Sequence, residues 1–254
     1  MKIGVIGLGL IGGSIFKSLP KEKYEVIGVS SSVTAKNISN DYNTLRDCKV
    51  VFVCTPMNVT LEILDKLEDI LPPETIVTDV CSLKGFVSKK KYTYKFIPSH
   101  PMAGTENSGW ENSIVGLFNN AKWVITPLDG EIIAEQEVLE TIIEDLGAKT
   151  IITTPDEHDK AVALVSHMPM VLAQALCKNI QNNTLAQELA SSGFKDTTRL
   201  ALSNLEMAND MVNFNKANIQ DSIKQLQECI ESLLQEDYTS QAQRIKNFRK
   251  NLYS

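Results

Sequence analysis

A glycine-rich segment near the N-terminus has the spacing of a phosphate-binding turn. Residues 7–12 read Gly-Leu-Gly-Leu-Ile-Gly, the pattern G-x-G-x-x-G, directly after the apolar run Lys2–Ile6. In such a segment the first glycine permits a tight turn, the second lets the backbone approach a pyrophosphate, and the third lets helix and strand pack closely. The N-terminus of the following helix then faces the negative charge, which favours a dinucleotide site over a turn without a ligand. The predicted cofactor-binding residues of this turn are Gly7, Gly9, Leu10, Ile11 and Gly12.

The residues after the second predicted strand bear on which dinucleotide is bound. An NAD site usually has an Asp or Glu about 20 residues beyond the glycine-rich turn, where it binds the ribose 2′-hydroxyl. Here Val29 is followed by Ser30, Ser31 and Ser32, without an acid. Serine hydroxyls can donate to a 2′-phosphate, and Lys36 is a nearby cation. The pattern favours NADP, with Ser30 and Ser31 as predicted contacts, and a site that accepts either NAD or NADP is the alternative.

A histidine follows another predicted strand of the same sheet. The segment Ser99-His100-Pro101 comes directly after the strand Lys95–Ile97. Ligands of such sheets bind beyond the carboxyl ends of the strands, where His100 can face a nicotinamide ring. A neutral histidine is a suitable base for the hydroxyl proton of an alcohol while the hydride leaves, because its pKa lies near neutrality. The alternative is a loop histidine with a structural hydrogen bond.

Alternating strands and helices must position these residues over the first part of the chain. Short apolar, β-branched runs predict the strands, and apolar residues at helical spacing predict the helices. The predicted strands are Lys2–Ile6, Tyr24–Val29, Lys49–Cys54, Thr75–Val80, Lys95–Ile97 and Ala121–Thr126. The predicted helices are Leu10–Leu19, Asn58–Leu71 and Ile132–Leu146. This order favours an α/β domain with a doubly wound, mostly parallel sheet over residues 1–154.

The composition changes after residue 154. A helix-start signal stands at 154–156, and between 156 and 254 only Pro169 and Gly193 interrupt a helical pattern. The helix Ala161–Ala175 is apolar nearly all round, which is more apolar surface than a small helical layer covers alone. A second helix carries an apolar stripe at Ile219, Ile223, Leu226, Ile230, Leu233 and Leu234. We therefore predict an all-α domain over residues 155–254 that forms a homodimer.

The composition of the chain excludes several classes of function. A net charge of −6 and a pI of about 5.2 argue against a nucleic-acid-binding protein, which needs a cationic face. The five cysteines form no CxxC motif and no Cys/His cluster with zinc spacing, so we predict no metal site and a reduced, cytoplasmic protein. Glycines break the apolar N-terminus, and we find no apolar run of about 18 residues, so no membrane partner is expected.

Five longer segments resemble the prephenate/arogenate dehydrogenase family, and they occur in the family's order. They are VTDVCSLKG, SHPMAGTENSGW, LFNNAKWVITP, DEHDKAVALVSHMPM and SSGFKDTTRLA, and the resemblance covers residues 1 to about 215. It implies a Rossmann domain followed by a helical dimerisation domain. It also implies oxidation of a cyclohexadienol dicarboxylate on the way to tyrosine, with hydride transfer to NAD(P) coupled to decarboxylation.

The resemblance implies a role for each matching residue. His100 corresponds to the catalytic histidine, which accepts the proton of the ring 4-hydroxyl, and Ser82 to a serine that hydrogen-bonds the same hydroxyl. Arg199 corresponds to the arginine that binds a substrate carboxylate through its planar fork; the alternative for Arg199 is a surface salt bridge. Other implied site residues are His167 in the substrate pocket, Thr105 and Glu106 beside the catalytic histidine, and Thr55 and Pro56 beside the cofactor.

The sequence leaves alternative substrates and functions open. Prephenate is the first candidate substrate, arogenate is the second, and a non-catalytic NAD(P)-binding sensor is the third. A β-hydroxyacid dehydrogenase is disfavoured because it needs a catalytic lysine on a glycine-rich helix of the second domain, where only Gly193 occurs. His158 lies in the acidic segment 156–159, which we interpret as a solvated helix start without a role in the site. Many members of the family carry an aromatic residue where this chain has Met207–Met211, so which residue closes the substrate pocket stays open.

Overall fold

A six-stranded parallel sheet forms the centre of the first part of the chain. The computed structural model describes residues 1–105, 107–128, 134–235 and 237–253. The strands of this sheet are β1 (Lys2–Ile6), β2 (Glu25–Val29), β3 (Ile38–Ser39), β4 (Val50–Val53), β5 (Ile76–Asp79) and β6 (Lys95–Phe96). Their order is β3-β2-β1-β4-β5-β6, and every neighbouring pair is parallel. The chain therefore reverses direction of winding at β1, which is the doubly wound arrangement expected from the sequence.

A second, three-stranded sheet carries His100. Its strands are β7 (Ser99–Pro101), β8 (Lys122–Ile125) and β9 (Lys149–Ile152), with β7 antiparallel to β8 and β8 parallel to β9. Pro98 separates β6 from β7 and has no backbone N–H to donate, so the chain leaves the first sheet there. The alternating pattern did not predict this separate sheet.

Three helices cover the sheets and close the apolar core. They are α1 (Leu10–Ser18), α2 (Met57–Leu67) and α3 (Ala134–Asp145). The core contains the fully buried side chains of Phe52, Phe118 and Trp123. The rings of Phe52 and Trp123 meet edge to face at 6.2 Å, which joins the large sheet to the small one.

The rest of the described chain is helical, as predicted. The helices are α4 (Pro155–Val162), α5 (Met168–Asn179), α6 (Thr184–Glu188), α7 (Ser192–Thr197), α8 (Leu205–Phe214), α9 (Lys216–Gln235) and α10 (Tyr238–Asn251). Thr154 caps α4 in a capping box with Glu157. A π-helical turn, Ala163–His167, joins α4 to α5. Pro169 lies just beyond it and cannot donate to a preceding carbonyl, which explains why the regular helix is interrupted there.

The long helix from Pro155 to Asn179 is only partly covered by its own chain. Leu164, Val165 and Leu172 are exposed on it, and Val165 is 69% exposed. By length and composition alone this helix could also cross a membrane, in contrast to the expectation from the sequence. However, a 25-residue helix of this kind is weak evidence for a span, because its other side carries buried polar residues that hydrogen-bond to the sheet.

Candidate active site

A cavity of about 1350 Å³ lies at the carboxyl ends of the central strands, between the large sheet and the helical layer. Most of the residues that the sequence predicts for the site line this cavity. Those on its wall are Gly7, Gly9, Leu10, Ile11, Ser30, Ser31, Thr55, Pro56, Ser82, His100, Thr105, His167 and Arg199. Gly12 lies behind the wall, and Glu106 is outside the described residues.

The glycine-rich turn has the geometry that its spacing predicts. Gly7 has φ +81°, and a Cβ at Gly12 would lie 2.0 Å from the carbonyl oxygen of Gly7, so neither position accepts a side chain. In contrast, a Cβ at Gly9 would meet nothing within 4 Å. Gly9 is also the N-cap of α1 and provides no capping side chain, so the first N–H groups of α1 face the cavity. These features fit the pyrophosphate of a dinucleotide.

The serines after β2 form a tight turn on the cavity wall. The Ser30 hydroxyl oxygen accepts hydrogen bonds from the backbone N–H groups of Ser32 and Val33, at 3.2 and 3.1 Å. Ser31 is exposed and free to contact a ribose. Lys36 is exposed and does not line the cavity, so the nearby cation considered for a 2′-phosphate is not placed there.

His100 is held by a chain of hydrogen bonds that ends on a carboxylate. Its Nδ1 lies 3.0 Å from Nε2 of His158, and Nδ1 of His158 lies 2.8 Å from Oδ1 of Asp159. The carboxylate can only accept, so His158 donates through Nδ1, and a neutral His158 then accepts through Nε2. His100 must then donate through Nδ1, which leaves the lone pair of its Nε2 available to the cavity. The arrangement therefore presents a base in a fixed tautomer.

The expectation that His158 is solvated is wrong. His158 is 2% exposed, and Asp159 is 8% exposed. The capping box at Thr154 starts the helix so that His158 and Val162, one turn apart, face inward. The spacing of four residues between His158 and the apolar Val162 is the signal that the sequence offered, and the acidic neighbours concealed it.

Backbone groups from the sheet side hold the Asp159 carboxylate. Lys84 N–H donates to Oδ1 and Gly85 N–H donates to Oδ2, both at 2.8 Å. The side-chain amide of Asn215 donates to the carbonyl oxygen of Asp159, also at 2.8 Å. With its oxygens occupied in this way, Asp159 cannot rotate, and it fixes the orientation of His158.

Burial keeps His100 neutral. Burial is the main reason that the pKa of His100 lies well below its ordinary value of 6.5, and the neighbouring His158, Lys84 and His167 lower it further. Since a base must be unprotonated to accept a proton, His100 is ready to act at neutral pH.

A buried ion pair shapes the loop that carries Ser82. The Lys84 ammonium contacts the Asp79 carboxylate, and both side chains are fully buried. Lys84 also donates to the carbonyl oxygen of Ser99 at 2.6 Å, next to His100. The loop between Asp79 and Lys84 therefore places Ser82 on the cavity wall near the base. The next helical turn starts at Val87, so Ser82 does not cap it.

His167 is a hydrogen-bond donor in this site. Its Nδ1 lies 3.1 Å from the side-chain amide nitrogen of Asn215, which can only donate. His167 therefore accepts through Nδ1 and carries its proton on Nε2. Burial lowers its pKa to about 4, and the nearby Asp159 opposes that shift. A neutral donor suits a binding role.

Arg199 begins a short 3₁₀ turn, Arg199–Leu202, on the opposite side of the cavity. Within the ranges that the structure describes, it makes no salt bridge, and its side chain is exposed. The surface ion pair considered as its alternative role is therefore not seen among those residues. Its guanidinium remains available to a carboxylate.

The helix α8 closes the cavity with residues that the sequence analysis could not rank. Its side chains on the wall are Glu206, Met207, Asp210 and Met211. Met207 and Met211 are its apolar side chains on the wall, and Asp210 is 7% exposed.

Comparison with known families matches nearly the whole chain. The model described as "Prephenate dehydrogenase, nucleotide-binding domain" matches residues 23–152. The model described as "Prephenate dehydrogenase, dimerization domain" matches residues 154–252.

Individual curated relatives also carry the name prephenate dehydrogenase. A prephenate dehydrogenase of Lactococcus lactis is 32% identical over 223 residues, which are 79% of this chain and 61% of that protein. One of Bacillus subtilis is 29% identical over 85% of this chain and 64% of that protein. The chain thus spans somewhat under two thirds of the length of these two curated relatives.

Two solved structures share the whole fold. The arogenate dehydrogenase of Synechocystis has a TM-score of 0.87 and 32% identity, covering 100% of both chains. The prephenate dehydrogenase of A. aeolicus, in complex with hydroxyphenyl propionate and NAD+, has a TM-score of 0.88 and 26% identity over 99% of this chain and 98% of that one. Together with the two family models and the site geometry, these likenesses show that the chain belongs to the prephenate dehydrogenase family.

Proposed function

We propose that the protein is an NAD(P)-dependent prephenate dehydrogenase of tyrosine biosynthesis, which converts prephenate to 4-hydroxyphenylpyruvate by oxidative decarboxylation. The observation that carries this proposal is the fixed tautomer of His100, whose free Nε2 faces a cavity with a glycine-rich turn and Arg199 on its wall. The curated relatives named prephenate dehydrogenase support it.

The chain's own groups account for the steps that the protein must perform. His100 Nε2 takes the proton of the ring 4-hydroxyl, and Ser82 hydrogen-bonds the same oxygen. A nicotinamide cofactor, held by the glycine-rich turn together with Thr55 and Pro56, would supply the acceptor for the hydride from C4. The bond between C1 and its carboxylate then breaks, CO₂ departs, and the electron pair completes the aromatic ring, whose oxygen takes the proton back from His100. Arg199 binds a substrate carboxylate, and His167 and Thr105 lie on the wall of the same cavity. The role expected for Glu106 falls outside the described residues.

Steady-state rates with each substrate and each cofactor test this proposal directly. Turnover of prephenate with release of CO₂ is the expected result. A protein that binds NAD(P) but turns over neither prephenate nor arogenate would be the sensor of the third alternative. Arogenate is the second candidate substrate, and the likeness to the Synechocystis arogenate dehydrogenase favours it.

The nicotinamide cofactor is expected to contact Gly7, Gly9, Gly12, Thr55 and Pro56. The finer preference for NADP follows from the absence of an acid in the turn at 30–32.

Ser31→Asp is expected to shift the cofactor preference toward NAD, because a carboxylate accepts from a ribose 2′-hydroxyl and repels a 2′-phosphate. Ser31 is exposed on the cavity wall, so folding is not at risk. The measurement is kcat/KM with NAD and with NADP. Ser31→Asn, of the same size but uncharged, is the control, and equal cofactor ratios for both variants and the wild type would place the ribose elsewhere.

The division into domains 1–154 and 155–254, with a homodimer formed through the second, is also part of the proposal. The matched dimerisation domain supports it, as does a set of exposed apolar side chains on the helical layer. This set is Leu164, Val165, Leu172, Leu185, Leu189, Leu202 and Leu205. Covering it in a second copy would remove this apolar surface from solvent. We also propose that the protein is cytoplasmic and has no membrane or nucleic-acid partner.

We expect sedimentation to show a dimer at assay concentrations, and Val165→Asp to weaken it because a charge would enter an apolar interface. Activity should fall together with the dimer fraction. Lys178→Asp, a charge change on the same long helix, serves as the control for surface charge. A wild-type protein that is monomeric and fully active at nanomolar concentration would refute the dimer.

A further inference from the structure

Asn215 is a buried amide at the junction of two helices. It lies between α8 (Leu205–Phe214) and α9 (Lys216–Gln235), and it is 3% exposed. No pattern in the sequence predicts it as a site residue, and the proposed reaction steps give it no role. Its side chain nevertheless contacts two groups of the site, the ring of His167 and the backbone of Asp159.

The neighbours of this amide fix its orientation. Its nitrogen donates to the carbonyl oxygen of Asp159 at 2.8 Å, and its oxygen accepts from the side-chain amide of Asn218, also at 2.8 Å. A rotated amide would set its oxygen against the carbonyl oxygen of Asp159, and two acceptors would then face each other. The amide nitrogen of Asn215 is therefore also the atom that faces Nδ1 of His167, at 3.1 Å, and its second hydrogen is the donor.

This contact leaves a neutral His167 with one tautomer. Because Nδ1 accepts, the ring carries its proton on Nε2. His167 lines the cavity, and within the described residues no group accepts from its Nε2. Nε2 is also not one of the fully enclosed atoms that lack a partner in the described part of the chain. The Nε2 proton is therefore open to a ligand oxygen in the cavity.

Asn215 also joins His167 to the hydrogen bonds that hold the base. The carbonyl oxygen that it binds belongs to Asp159, whose carboxylate holds His158 and, through it, His100. The site thus presents two histidine nitrogens of opposite character, an accepting Nε2 on His100 and a donating Nε2 on His167. A substrate fits both when it brings a hydroxyl to His100 and an acceptor oxygen, of a carboxylate or a ketone, to His167.

We propose that Asn215 is a positioning residue, which fixes the tautomer of His167 and so presents its Nε2–H to an acceptor oxygen of the substrate. The inference rests on the proposed function, since it assigns this oxygen to prephenate or arogenate. Asn215 does not line the cavity, so it acts through His167 and not by touching the substrate. Its effect is therefore on the affinity for substrate and not on the transfer of the hydroxyl proton.

The chain has three histidines, which makes the tautomer measurable. In protein labelled with ¹⁵N-histidine, ring nitrogens with and without a proton have well-separated NMR chemical shifts, and His167→Gln identifies the signals of His167. In the wild type we expect the proton of His167 on Nε2 and those of His100 and His158 on Nδ1. A wild-type His167 with its proton on Nδ1 would overturn the proposal and leave the proposed function intact.

Asn215→Asp reverses the contact, because a carboxylate can only accept. Nδ1 of His167 should then become protonated, which the same spectra report. Asn213→Asp is the matched control, since it makes the same change at an exposed position of α8, and it should leave the signals of His167 unchanged. An unprotonated Nδ1 in Asn215→Asp, or the same shift in both variants, would overturn the proposal.

Asn215→Ala gives a kinetic readout that does not require a carboxylate in the buried position. KM for the substrate should rise by about 3- to 10-fold, because the hydrogen bond that orients His167 is lost, while kcat should change by less than about twofold. Asn213→Ala should behave as the wild type. A lower unfolding temperature with an unchanged KM would show that Asn215 is only structural. A wild type that turns over neither prephenate nor arogenate would overturn the proposed function, and the histidine spectra would still report whether Asn215 sets the tautomer.

Discussion

His100→Asn is expected to lower kcat by about 10²- to 10⁴-fold, because it removes the group that we propose as the general base for the hydroxyl proton. Asparagine can still donate a hydrogen bond to Nε2 of His158, so the buried network should keep its shape. The measurement is steady-state kcat with prephenate. Cofactor affinity, followed by fluorescence titration of NAD(P)H, should change little.

Two outcomes would contradict this role. A variant with kcat near the wild-type value would show that His100 is not the base. A variant that loses cofactor binding and unfolds at a lower temperature would show that the histidine is structural, as its hydrogen bond to His158 alone would allow.

Arg199→Ala should raise KM for the dicarboxylate substrate with a smaller effect on kcat, corresponding to about 2–4 kcal/mol of lost charge-assisted binding. The physical reason is that the guanidinium offers two parallel N–H donors to a carboxylate, and the described part of the cavity wall provides no lysine to replace it. Arg199→Lys keeps the positive charge but lacks the two parallel N–H donors, so its KM should lie between those of the wild type and Arg199→Ala.

The surface residue Arg244 gives the control for general electrostatics, because it is exposed on α10, away from the cavity. Arg244→Ala should leave KM unchanged. If Arg199→Ala altered only the thermal stability, Arg199 would be a structural residue.

Local sequence patterns were sufficient to predict the glycine-rich turn and the order of strands and helices. Gly7 and Gly12 are required by contacts within one strand–turn–helix unit, so their spacing alone identifies them. The base could also be proposed locally, because His100 follows a strand whose carboxyl end must lie at the site edge.

The partners of the base could not be predicted in the same way. His158 and Asp159 resemble a solvated helix start, and they become buried only because the loop at Lys84 and Gly85 packs on them across the molecule. Asp210 is similar, since its burial depends on how α8 meets the cavity. The burial of such residues is determined by tertiary packing, which a periodic sequence pattern does not encode.

The orientation of His100 depends on two layers of the molecule at once. His100 lies on β7, whereas His158 and Asp159 lie on α4, and Asp159 accepts from the backbone of Lys84 and Gly85. Swinging the helical layer away from the sheet would break these buried bonds, and each unpaired group would cost about 1–3 kcal/mol.

A hinge motion that opened the cavity at every turnover would therefore break the hydrogen bonds that orient His100. In the single chain the side chain of Arg199 is exposed on the cavity wall, so the cavity of one subunit reaches solvent without such a motion. Substrate can enter and product can leave through this standing mouth while the catalytic groups stay assembled.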